Sequence, residues 1–482
     1  MTPTNLLFIM SDEHSKRIMG CAGHPMIRTP NMDRLAATGV RFTDAYCNSP
    51  ICVPSRASFA TGRYVHRIRF WDNAIPYDGS IPSWGHRLQQ NGNHSAAIGK
   101  LHFRAADEAH GFGEEIMPLH VVNGGDPLGL LRDDLPVRKA ALKLATDAGR
   151  GESTYQQYDE RITDAAVAWL TARAQQALGK PWVLFVSLVC PHFPLIARPE
   201  WYDLYPEADV PWPPLYDSHD RPTHPFIAAI RECMVYDKAF DEAKVRKAIA
   251  AYFGMVSFVD HNVGRMLRAL EATGLIDNTR VIYTSDHGDN LGTRGLWGKS
   301  TMYEDSAGVP LLMSGPEIPE GHVVREPVSL VDGFPTILDC VGAPLAPGDA
   351  DLPGASLLDV MRGCHAPRIV FSEYHAAGAA TGAFMIRRGP FKYVHYVGMP
   401  PQLFDIDADP LEARDLGQDL GYAGLVADCE AMLRTVCDPE AVDALARADQ
   451  AEEIRKWGGR DAIIARGSFG YSPVPGQTPV YT

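Results

Sequence analysis

The stretch Asn5-Leu6-Leu7-Phe8-Ile9-Met10, followed at once by Ser11-Asp12-Glu13, carries the pattern on which the fold prediction rests. It is a short apolar run that polar residues end abruptly, which is typical of a buried strand. The same pattern recurs at residues 95–98, 182–189 and 280–284. Helical patterns lie between these runs, for example at residues 159–178 and 251–273, the second ending before Gly274. This alternation predicts an α/β fold with a mainly parallel sheet sandwiched by helices.

Polar clusters follow each of the four predicted strands. They are Asp12-Glu13-His14, then Lys100 with His102, then His192, then Asp286-His287. Any one cluster is equally well explained as the start of a loop. If the strands are parallel, however, all four clusters lie at one edge of the sheet, where open α/β sheets place their sites. We therefore expect the functional site at that edge.

Length, charge and cysteine content exclude several classes of protein. The chain has 482 residues, enough for one large or two smaller cores, and a formal charge of -14, which argues against nucleic-acid binding. Its nine cysteines form no CxxC pair, so neither a disulfide framework nor a structural zinc site is expected. The first apolar run lacks a basic leader and no segment is apolar enough to span a bilayer, so we expect a cytoplasmic protein without membrane contact.

Near residue 366 the pattern of predicted elements changes from alternating strands and helices to a run of short strands followed by helices. Four short strand patterns at residues 369–374, 383–387, 391–396 and 402–406 precede helical patterns at 422–436 and 440–456. We therefore predict a catalytic domain at 1–365, a smaller α+β domain with an antiparallel sheet at 366–457, and an extended arm at 458–482. The alternative for the arm is a disordered tail. Its Phe469, Tyr471 and Tyr481 suggest docking on a neighbouring subunit, and we expect a homodimer or homotetramer.

Cys52 lies in the segment Cys52-Val53-Pro54-Ser55-Arg56, which is followed by Thr61 and Gly62. Pro54 suits the first turn of a helix and Gly62 suits its end. Cys52 would then lie at a helix N-terminus, where negative charge is favoured, with Arg56 one turn further on. A lone cysteine is more commonly a buried structural residue. A tyrosine-phosphatase site is excluded because position 58 is Ser58 rather than arginine.

The polar clusters also suggest a metal and an anion. A divalent cation can be held by Asp12, Asp286 and His287. Carboxylate oxygens favour Ca²⁺, Mg²⁺ or Mn²⁺, and an imidazole nitrogen favours Mn²⁺ among these ions. A soft thiolate from Cys52 would be an unusual companion for such ligands. Side chains that can surround a tetrahedral oxyanion come from Lys100, His102, His192, Lys299 and Arg56.

These residues together resemble the type I sulfatase family. The signature C-x-P-S-R followed by T-G matches Cys52–Arg56 and Thr61-Gly62, and five further motifs occur in the family's order. They are Asp12, Gly99-Lys100-Leu101-His102, Pro191-His192-Phe193-Pro194, Ser285-Asp286-His287-Gly288 and Gly298-Lys299. The resemblance extends from Asn5 to about Pro410, including Leu403-Phe404-Asp405. It implies an alkaline-phosphatase-like fold.

The resemblance also implies roles for the matched residues. A formylglycine-generating enzyme would convert Cys52 to formylglycine (3-oxoalanine), whose hydrate contacts one divalent metal and attacks the sulfur of a small-molecule sulfate ester. The metal ligands would be Asp12, Asp286, His287 and the modified Cys52. Arg56 would support the diol and Lys100 and Lys299 the sulfate oxygens. His192 would protonate the leaving alcohol, and His102 would assist the elimination of sulfate that restores the aldehyde.

Several departures indicate a branch within the family. Glu13 replaces the second Asp of many arylsulfatases and the neutral Gln of choline sulfatases and phosphonate monoester hydrolases, and it is either a further metal ligand or points away. His287 and the stretch Trp71-Asp72-Asn73-Ala74 are typical of the second branch, and Asn73 is a candidate substrate-binding residue. Residues 118–125 lack the aromatic side chain that a quaternary ammonium group needs; Trp71, Tyr77 or Trp297 either supplies one or lies in the core.

Two alternatives stay open on the sequence alone. The first is hydrolysis of phosphonate monoesters or phosphodiesters, although the relatives with that activity usually replace the counterparts of Lys100 and His102. The second is a noncatalytic anion-binding relative, in which Cys52 would stay a thiol. The sequence favours hydrolysis of aryl or alkyl sulfates and leaves the alcohol open.

Overall fold

A computed structural model describes residues 1–122, 125–176, 179–366, 368–468, 470–479 and 481. Within these residues no helix is both long enough and apolar enough to cross a lipid bilayer. All nine cysteines lie in the described part of the chain and all are free thiols, as the absence of a disulfide pattern predicted.

The strands of the large sheet, together with the strands Gly149–Arg150 and Ile196–Ala197 of a separate two-stranded sheet, come first in the chain. They are β1 (Asn5–Asp12), β2 (Gly39–Tyr46), β3 (Ser95–Lys100), β4 (Glu114–Leu119), β5 (Gly149–Arg150), β6 (Val183–Pro191), β7 (Ile196–Ala197), β8 (Thr279–Ser285), β9 (Gly308–Ser314), β10 (His322–Val324) and β11 (Val328–Ser329). The strands of the smaller sheet follow as β12 (Val370–Tyr374), β13 (Ala383–Arg388), β14 (Phe391–Tyr396) and β15 (Gln402–Asp405).

The helices alternate with these strands. They are α1 (Pro30–Ala37), α2 (Cys52–Thr61), α3 (Val65–Ile68), α4 (Trp84–Asn91), α5 (Leu142–Thr146), α6 (Thr154–Arg173), α7 (Pro199–Tyr202), α8 (Pro225–Cys233), α9 (Tyr236–Ala239), α10 (Glu242–Ala272), α11 (Glu304–Ala307), α12 (Gly333–Val341), α13 (Leu357–Val360), α14 (Ala423–Val436), α15 (Pro439–Lys456) and α16 (Arg460–Arg466).

The large sheet has the strand order β10-β2-β9-β8-β1-β6-β3-β4, and β11 extends it beside β2. The inner strands β8, β1, β6 and β3 run parallel, whereas β9 is antiparallel to both of its neighbours. All four strands predicted from apolar runs are therefore present and parallel. Their carboxyl ends meet at one edge, as expected.

The sheet buries both of its faces. Leu7 and Ile9 of β1 belong to one hydrophobic cluster, together with side chains of α6 and α10. Leu6, Phe8 and Met10 belong to a second cluster on the other face, together with side chains of α2, α4 and α12. Since successive side chains of a strand point to opposite faces, this division shows helices covering both sides of β1. The predicted sandwich of helices around a mixed, mainly parallel sheet is confirmed.

The C-terminal part forms a second sheet, with the antiparallel order β12-β13-β14-β15. All four predicted short strands are present, and α14 and α15 match the two predicted helices. Lys392 of β14 is fully buried and forms ion pairs with Glu304, at 2.9 Å, and with Glu412. These contacts tie the smaller sheet to α11 in the main body. The domain boundaries at 365 and 457 stay a prediction.

The segment after residue 457 differs from the extended arm that we predicted. It begins with the helix α16, because Arg460–Arg466 contains no proline or glycine and continues for two turns. The following residues then run back over the same chain, where Tyr155 Oη donates to the carbonyl oxygen of Ser472 at 2.5 Å. Phe469 lies outside the described residues, as do Ala177 and Leu178 of the predicted helix 159–178, which ends earlier, at Arg173.

Candidate active site

The parallel strands bring the predicted site residues together. In the register of β1 with its neighbours, Asp12 pairs with Pro191 of β6, and Ser11 pairs with Ser285 of β8. Asp12 therefore lies beside the residue before His192, and the residue before Asp12 lies beside the residue before Asp286. Lys100 ends β3, the strand on the far side of β6. Four motifs that are far apart in sequence thus share one edge of the sheet.

Cys52 is the first residue of α2, a helix whose residues are all buried. The N-cap residue, Ile51, offers no side-chain cap, and Asn73 Oδ1 instead accepts from the Val53 amide at 3.2 Å. Ser55 Oγ donates to the Asp286 carbonyl at 2.6 Å and so fixes the first turn to the end of β8. These contacts explain why the motif needs a small polar residue after Pro54.

Gly62 ends the same helix with φ of 67°, in the left-handed region. A Cβ atom there would lie 2.8 Å from Cβ of Phe334 in α12. Glycine is therefore required twice over, for the backbone conformation and for the close packing of α2 on α12.

A cluster of donor atoms surrounds the Cys52 side chain. Cys52 Sγ lies 3.2 Å from His287 Nε2 and 3.6 Å from Asp12 Oδ1, and His287 Nε2 lies 3.6 Å from Asp286 Oδ1. One donor atom from each of these four residues lies within 4.8 Å of the others, and all four residues are buried. Two carboxylates and an imidazole converging in a buried space fit a divalent cation, because carboxylate oxygens and imidazole nitrogens are ligands that such ions take.

Arg56 contacts the two carboxylates of this cluster. Its Nε donates to Asp286 Oδ2 at 2.7 Å and its Nη2 donates to Asp12 Oδ2 at 3.1 Å. Its Nη1 donates to the Lys100 carbonyl at 2.7 Å and to Ser187 Oγ at 2.8 Å. The guanidinium therefore orients the two candidate metal ligands. Burial alone would lower the pKa of Arg56, but Asp286 and Asp12 outweigh it and raise the pKa.

Two lysines face the Cys52 side chain from opposite motifs. Lys299 Nζ lies 3.5 Å and Lys100 Nζ 4.0 Å from Cys52 Sγ. Lys299 also pairs with Glu13 Oε2 at 2.9 Å, and Lys100 pairs with Asp12 Oδ2 at 2.5 Å. Burial alone would lower the pKa of Lys299, but the nearby Cys52, Glu13 and Asp12 raise it, so the ammonium stays charged.

The thiol of Cys52 is not activated by the polypeptide around it. Burial and the charge of Asp12 raise its pKa to about 12, despite the opposing effect of Lys100 and Lys299. Catalytic cysteines work as thiolates and have lowered pKa values. The helix N-terminus at which Cys52 lies does not overcome this effect. As a thiol, Cys52 is therefore a poor nucleophile in this environment.

Two histidines lie at the rim of the cluster. His192 Nδ1 contacts the Phe193 carbonyl at 2.6 Å, which leaves Nε2 to face Glu13 Oε2 at 3.4 Å. His102 Nε2 contacts Ser472 Oγ at 2.8 Å, and its φ of 60° is in the left-handed region. Burial, aided by neighbouring lysines, lowers the pKa of both imidazoles well below its usual range.

The cluster opens into a cleft. Four of the five side chains predicted to surround an oxyanion line it, namely Lys100, His102, His192 and Lys299, and so do Asn73 and Gly298. Arg138, Asp72 and Asp126 lie further out in the same cleft. Every predicted site residue is thus either in the buried cluster, at its support, or in the wall of this cleft.

Of the two interpretations of Trp71, Tyr77 and Trp297, a wall for the substrate or part of the core, the structure agrees with the core. Trp71 and Tyr77 have 0% exposure and Trp297 has 1%, and Trp297 is stacked on Phe240 with a centroid separation of 3.9 Å. The aromatic residues that do line the cleft are Phe193, Tyr236 and Tyr471.

Sequence reasoning left the position of Glu13 open and missed one polar contact of the site, that of Ser472. Glu13 is fully buried between Lys299 and His192, and its position directly after Asp12 was the available signal. Ser472 reaches His102 from the C-terminal segment, for which no sequence signal exists.

Known proteins share this fold and this order of motifs. The family model described as "Sulfatase" matches residues 4–343, and the one described as "N-sulphoglucosamine sulphohydrolase, C-terminal" matches residues 292–438. The chain is 34% identical to the choline-sulfatase of Rhizobium meliloti (strain 1021), over 94% of this chain and 90% of that protein. It is 29% identical to arylsulfatase K of Danio rerio, over 94% of this chain and 87% of that protein.

A solved structure shows the same fold. The phosphonate monoester hydrolase of Agrobacterium radiobacter superposes with a TM-score of 0.71 at 24% identity, over 90% of this chain and 95% of that one. The matched family model spans most of the chain, and its matched residues contain the Cys52 signature and the cluster around it. The chain therefore belongs to the sulfatase family of sulfuric ester hydrolases, and it is similar to a choline-sulfatase and an arylsulfatase over most of its length.

Proposed function

We propose that the protein hydrolyses aryl or alkyl sulfate monoesters to an alcohol and inorganic sulfate, with the formylglycine derived from Cys52 as the nucleophile. The observation that carries this proposal is the surroundings of Cys52 Sγ, which has a carboxylate, an imidazole and two lysine ammonium groups within 4.0 Å. A thiol with a pKa of about 12 does not suit this position. The oxygen of a hydrated aldehyde suits it, because oxygen is the ligand that hard cations prefer.

Asp12, Asp286 and His287 would hold one divalent cation, Ca²⁺ or Mn²⁺, together with the modified side chain of residue 52. When bound, the cation supplies Lewis acidity and neutralises negative charge at the reacting centre. Arg56 keeps both carboxylates in place through the hydrogen bonds described above. The remaining polar groups act on the substrate.

Lys100 and Lys299 are positioned to grip the sulfate oxygens, because both ammonium groups face the nucleophile position. Preorganised cations of this kind stabilise the charge that develops during transfer of a tetrahedral group. His192 presents Nε2 to the cleft and is the candidate proton donor to the leaving alcohol, in the imidazolium form that a bound anionic substrate favours. His102, held by Ser472, would assist the release of sulfate.

The wall of the cleft suggests which alcohols fit. Phe193, Tyr236 and Tyr471 offer flat apolar surfaces, and Asp72 and Asp126 offer negative charge beside Arg138. Aromatic rings with nearby carboxylates suit an aryl group or a quaternary ammonium such as that of choline. A panel of aryl, alkyl, choline and sugar sulfates, compared by kcat/KM, identifies the preferred class. The matched aryl phosphonate monoester belongs in the same panel, and a preference for it would overturn the sulfate assignment.

The experiment that tests the nucleophile combines mass spectrometry with one variant. The peptide containing residues 46–56, from protein made together with a formylglycine-generating enzyme, should carry formylglycine at position 52. Cys52→Ala should lose turnover and keep its circular dichroism spectrum and thermal midpoint. Wild-type turnover by the alanine variant, or full activity of protein that carries only the thiol, would contradict the proposal.

The metal is tested by its removal. Treatment with a strong chelator, verified by elemental analysis, should abolish turnover, and addition of Ca²⁺ or Mn²⁺ should restore it. A rate that is unchanged after verified removal would exclude the assigned role of Asp12, Asp286 and His287.

A further inference from the structure

A second cluster of metal-type ligands lies apart from the one around Cys52. It consists of His110, which precedes β4, Glu115, which lies in β4, and His120, which follows it. One donor atom from each of these residues lies within 4.8 Å of the other two. None of the three is part of the mechanism proposed above.

Glu115 lies between the two imidazoles. Its Oε1 is 2.9 Å from His110 Nδ1, and its Oε2 is 3.5 Å from His120 Nε2. The other nitrogen of His110, Nε2, lies 3.8 Å from Oε2 of Glu108. A carboxylate is thus shared by two histidines, and a second carboxylate stands behind the first histidine. Metal-bound histidines commonly show this arrangement, in which an outer carboxylate fixes the ring.

The cluster leaves buried polar atoms unsatisfied. Among the described residues, both ring nitrogens of His120, Nε2 of His110 and Oε2 of Glu108 are buried without a hydrogen-bond partner. The His110 side chain has 0% exposure and that of His120 has 11%. Buried polar groups normally have partners, and leaving one without costs about 1–3 kcal/mol. His110 Nε2 and Glu108 Oε2 face each other at 3.8 Å, so the group in the cluster that a ligand would satisfy is the ring of His120, which makes no hydrogen bond to the described residues.

We propose that His110, Glu115 and His120 form a second metal site, selective for a transition-metal ion of the Zn²⁺ class, with Glu108 orienting His110. Two imidazoles and one carboxylate are a common donor set for Zn²⁺, with the remaining position open to water. The set differs from the carboxylate-rich cluster around Cys52, which suits Ca²⁺ or Mn²⁺. It uses no cysteine, which is why the cysteine spacing gave no sign of a zinc site.

The site is joined to the catalytic edge through the backbone. The amides of Leu101 and His102 both donate to the Leu119 carbonyl, at 3.1 and 2.8 Å, and the Val121 amide donates to the Phe103 carbonyl at 2.9 Å. His120 thus lies between two residues that are bonded to the segment carrying His102. An ion bound to His110, Glu115 and His120 would stiffen this segment.

The test is Zn²⁺ binding to the full-length protein with its active-site metal supplied in excess. Zn²⁺ alone is the probe, followed by calorimetry and by elemental analysis after desalting. Wild type should bind one equivalent of Zn²⁺ and gain thermal stability. His120→Ala should bind it at least about 10- to 100-fold more weakly, since even loss of an outer-shell partner costs that much. Glu115→Gln is the second variant and keeps the shape of the side chain.

Two controls make the result specific. His94→Ala removes a histidine whose Nε2 lies 2.7 Å from Oε1 of Glu114, outside the cluster, and should bind Zn²⁺ as wild type does. Asp286→Asn disrupts the cluster around Cys52 and should also keep the Zn²⁺ equivalent. Undiminished binding by both His120→Ala and Glu115→Gln, loss of binding in Asp286→Asn, or no bound Zn²⁺ in wild type would each overturn the proposal.

Discussion

Lys299 places a positive charge beside the side chain of Cys52. Its ammonium lies 3.5 Å from Cys52 Sγ and 2.9 Å from Glu13 Oε2, and it is nearly buried. The protein carries a formal charge of -14, so an anionic substrate must be attracted by a local positive site rather than by the surface as a whole. Lys100, Lys299 and Arg56 provide that local positive charge.

Lys299→Ala should therefore impair transfer of the sulfuryl group strongly. Removing one preorganised group that stabilises transition-state charge costs about 100- to 1000-fold in rate. We expect a fall of that size in kcat/KM for an aryl sulfate, and weaker inhibition by inorganic sulfate. Lys180→Ala, which changes an exposed lysine, is the control and should behave as wild type. A kcat/KM equal to that of wild type in Lys299→Ala would remove this residue from the site.

The convergence of the candidate site residues was predictable because each belongs to a short motif at the end of a strand. Asp12, Lys100, His192 and Asp286 follow apolar runs that the sequence displays directly, and parallel strands bring their ends together. The aromatic wall was not predictable, because burial of Trp71, Tyr77 and Trp297 depends on packing between distant segments. Nothing in the sequence around a tryptophan tells whether its ring faces a cleft or a core.

At the scale of elements, β12 joins the smaller sheet to the helices around the active site. Glu373 of β12 accepts from the His66 amide at 2.8 Å and contacts His66 Nδ1 at 2.9 Å and His375 Nε2 at 3.1 Å. All three side chains are buried. Burial raises the pKa of Glu373, but the two histidines outweigh it and lower the pKa to about 2. The ionised carboxylate therefore stabilises the contact between β12 and α3.

Glu373→Gln should lower the free energy of unfolding at neutral pH, and the difference from wild type should be smaller at acidic pH. The folded pKa of about 2 lies below the ordinary value of 4.5, so the stabilisation is complete above about pH 4.5 and is lost as the pH falls towards 2. At 1.36 kcal/mol per unit this shift corresponds to about 3 kcal/mol. The difference in denaturation midpoint between variant and wild type should shrink over this range. Glu271→Gln, in an exposed pair with Arg34, is the control, and a pH-independent difference would contradict the assignment.

At the scale of the whole molecule, the C-terminal segment lines the same cleft as residues from the N-terminal part of the chain. Ser472 contacts His102 across a separation of 370 residues, and Tyr471 packs on Tyr155 with a centroid separation of 5.6 Å. Sequence analysis predicted an arm here but placed its contacts on another subunit. The segment contains glycine and proline without hydrophobic periodicity, so no pattern indicates where it docks.

Ser472→Ala tests whether this segment positions His102. Loss of one neutral hydrogen bond costs about 0.5–1.5 kcal/mol, which is about a 2- to 10-fold fall in rate. We expect that fall in kcat, together with a shifted pH profile and little change in KM. Thr478→Ala alters an exposed residue of the same segment and should leave both parameters unchanged. An unaltered kcat and pH profile in Ser472→Ala would show that the contact does not serve turnover.

The burial of Cys52 limits the stage of folding at which the modification proposed for this residue can occur. In the folded protein Cys52 has 1% exposure, its helix is enclosed, and residues from the loop after β8 contact its side chain or its first turn. Those residues lie more than two hundred positions later in the chain. The formylglycine proposed at position 52 would therefore have to form before β8 and this loop join the sheet. Slow translation beyond residue 61, or delayed closure of the sheet, should increase the fraction of molecules that mature.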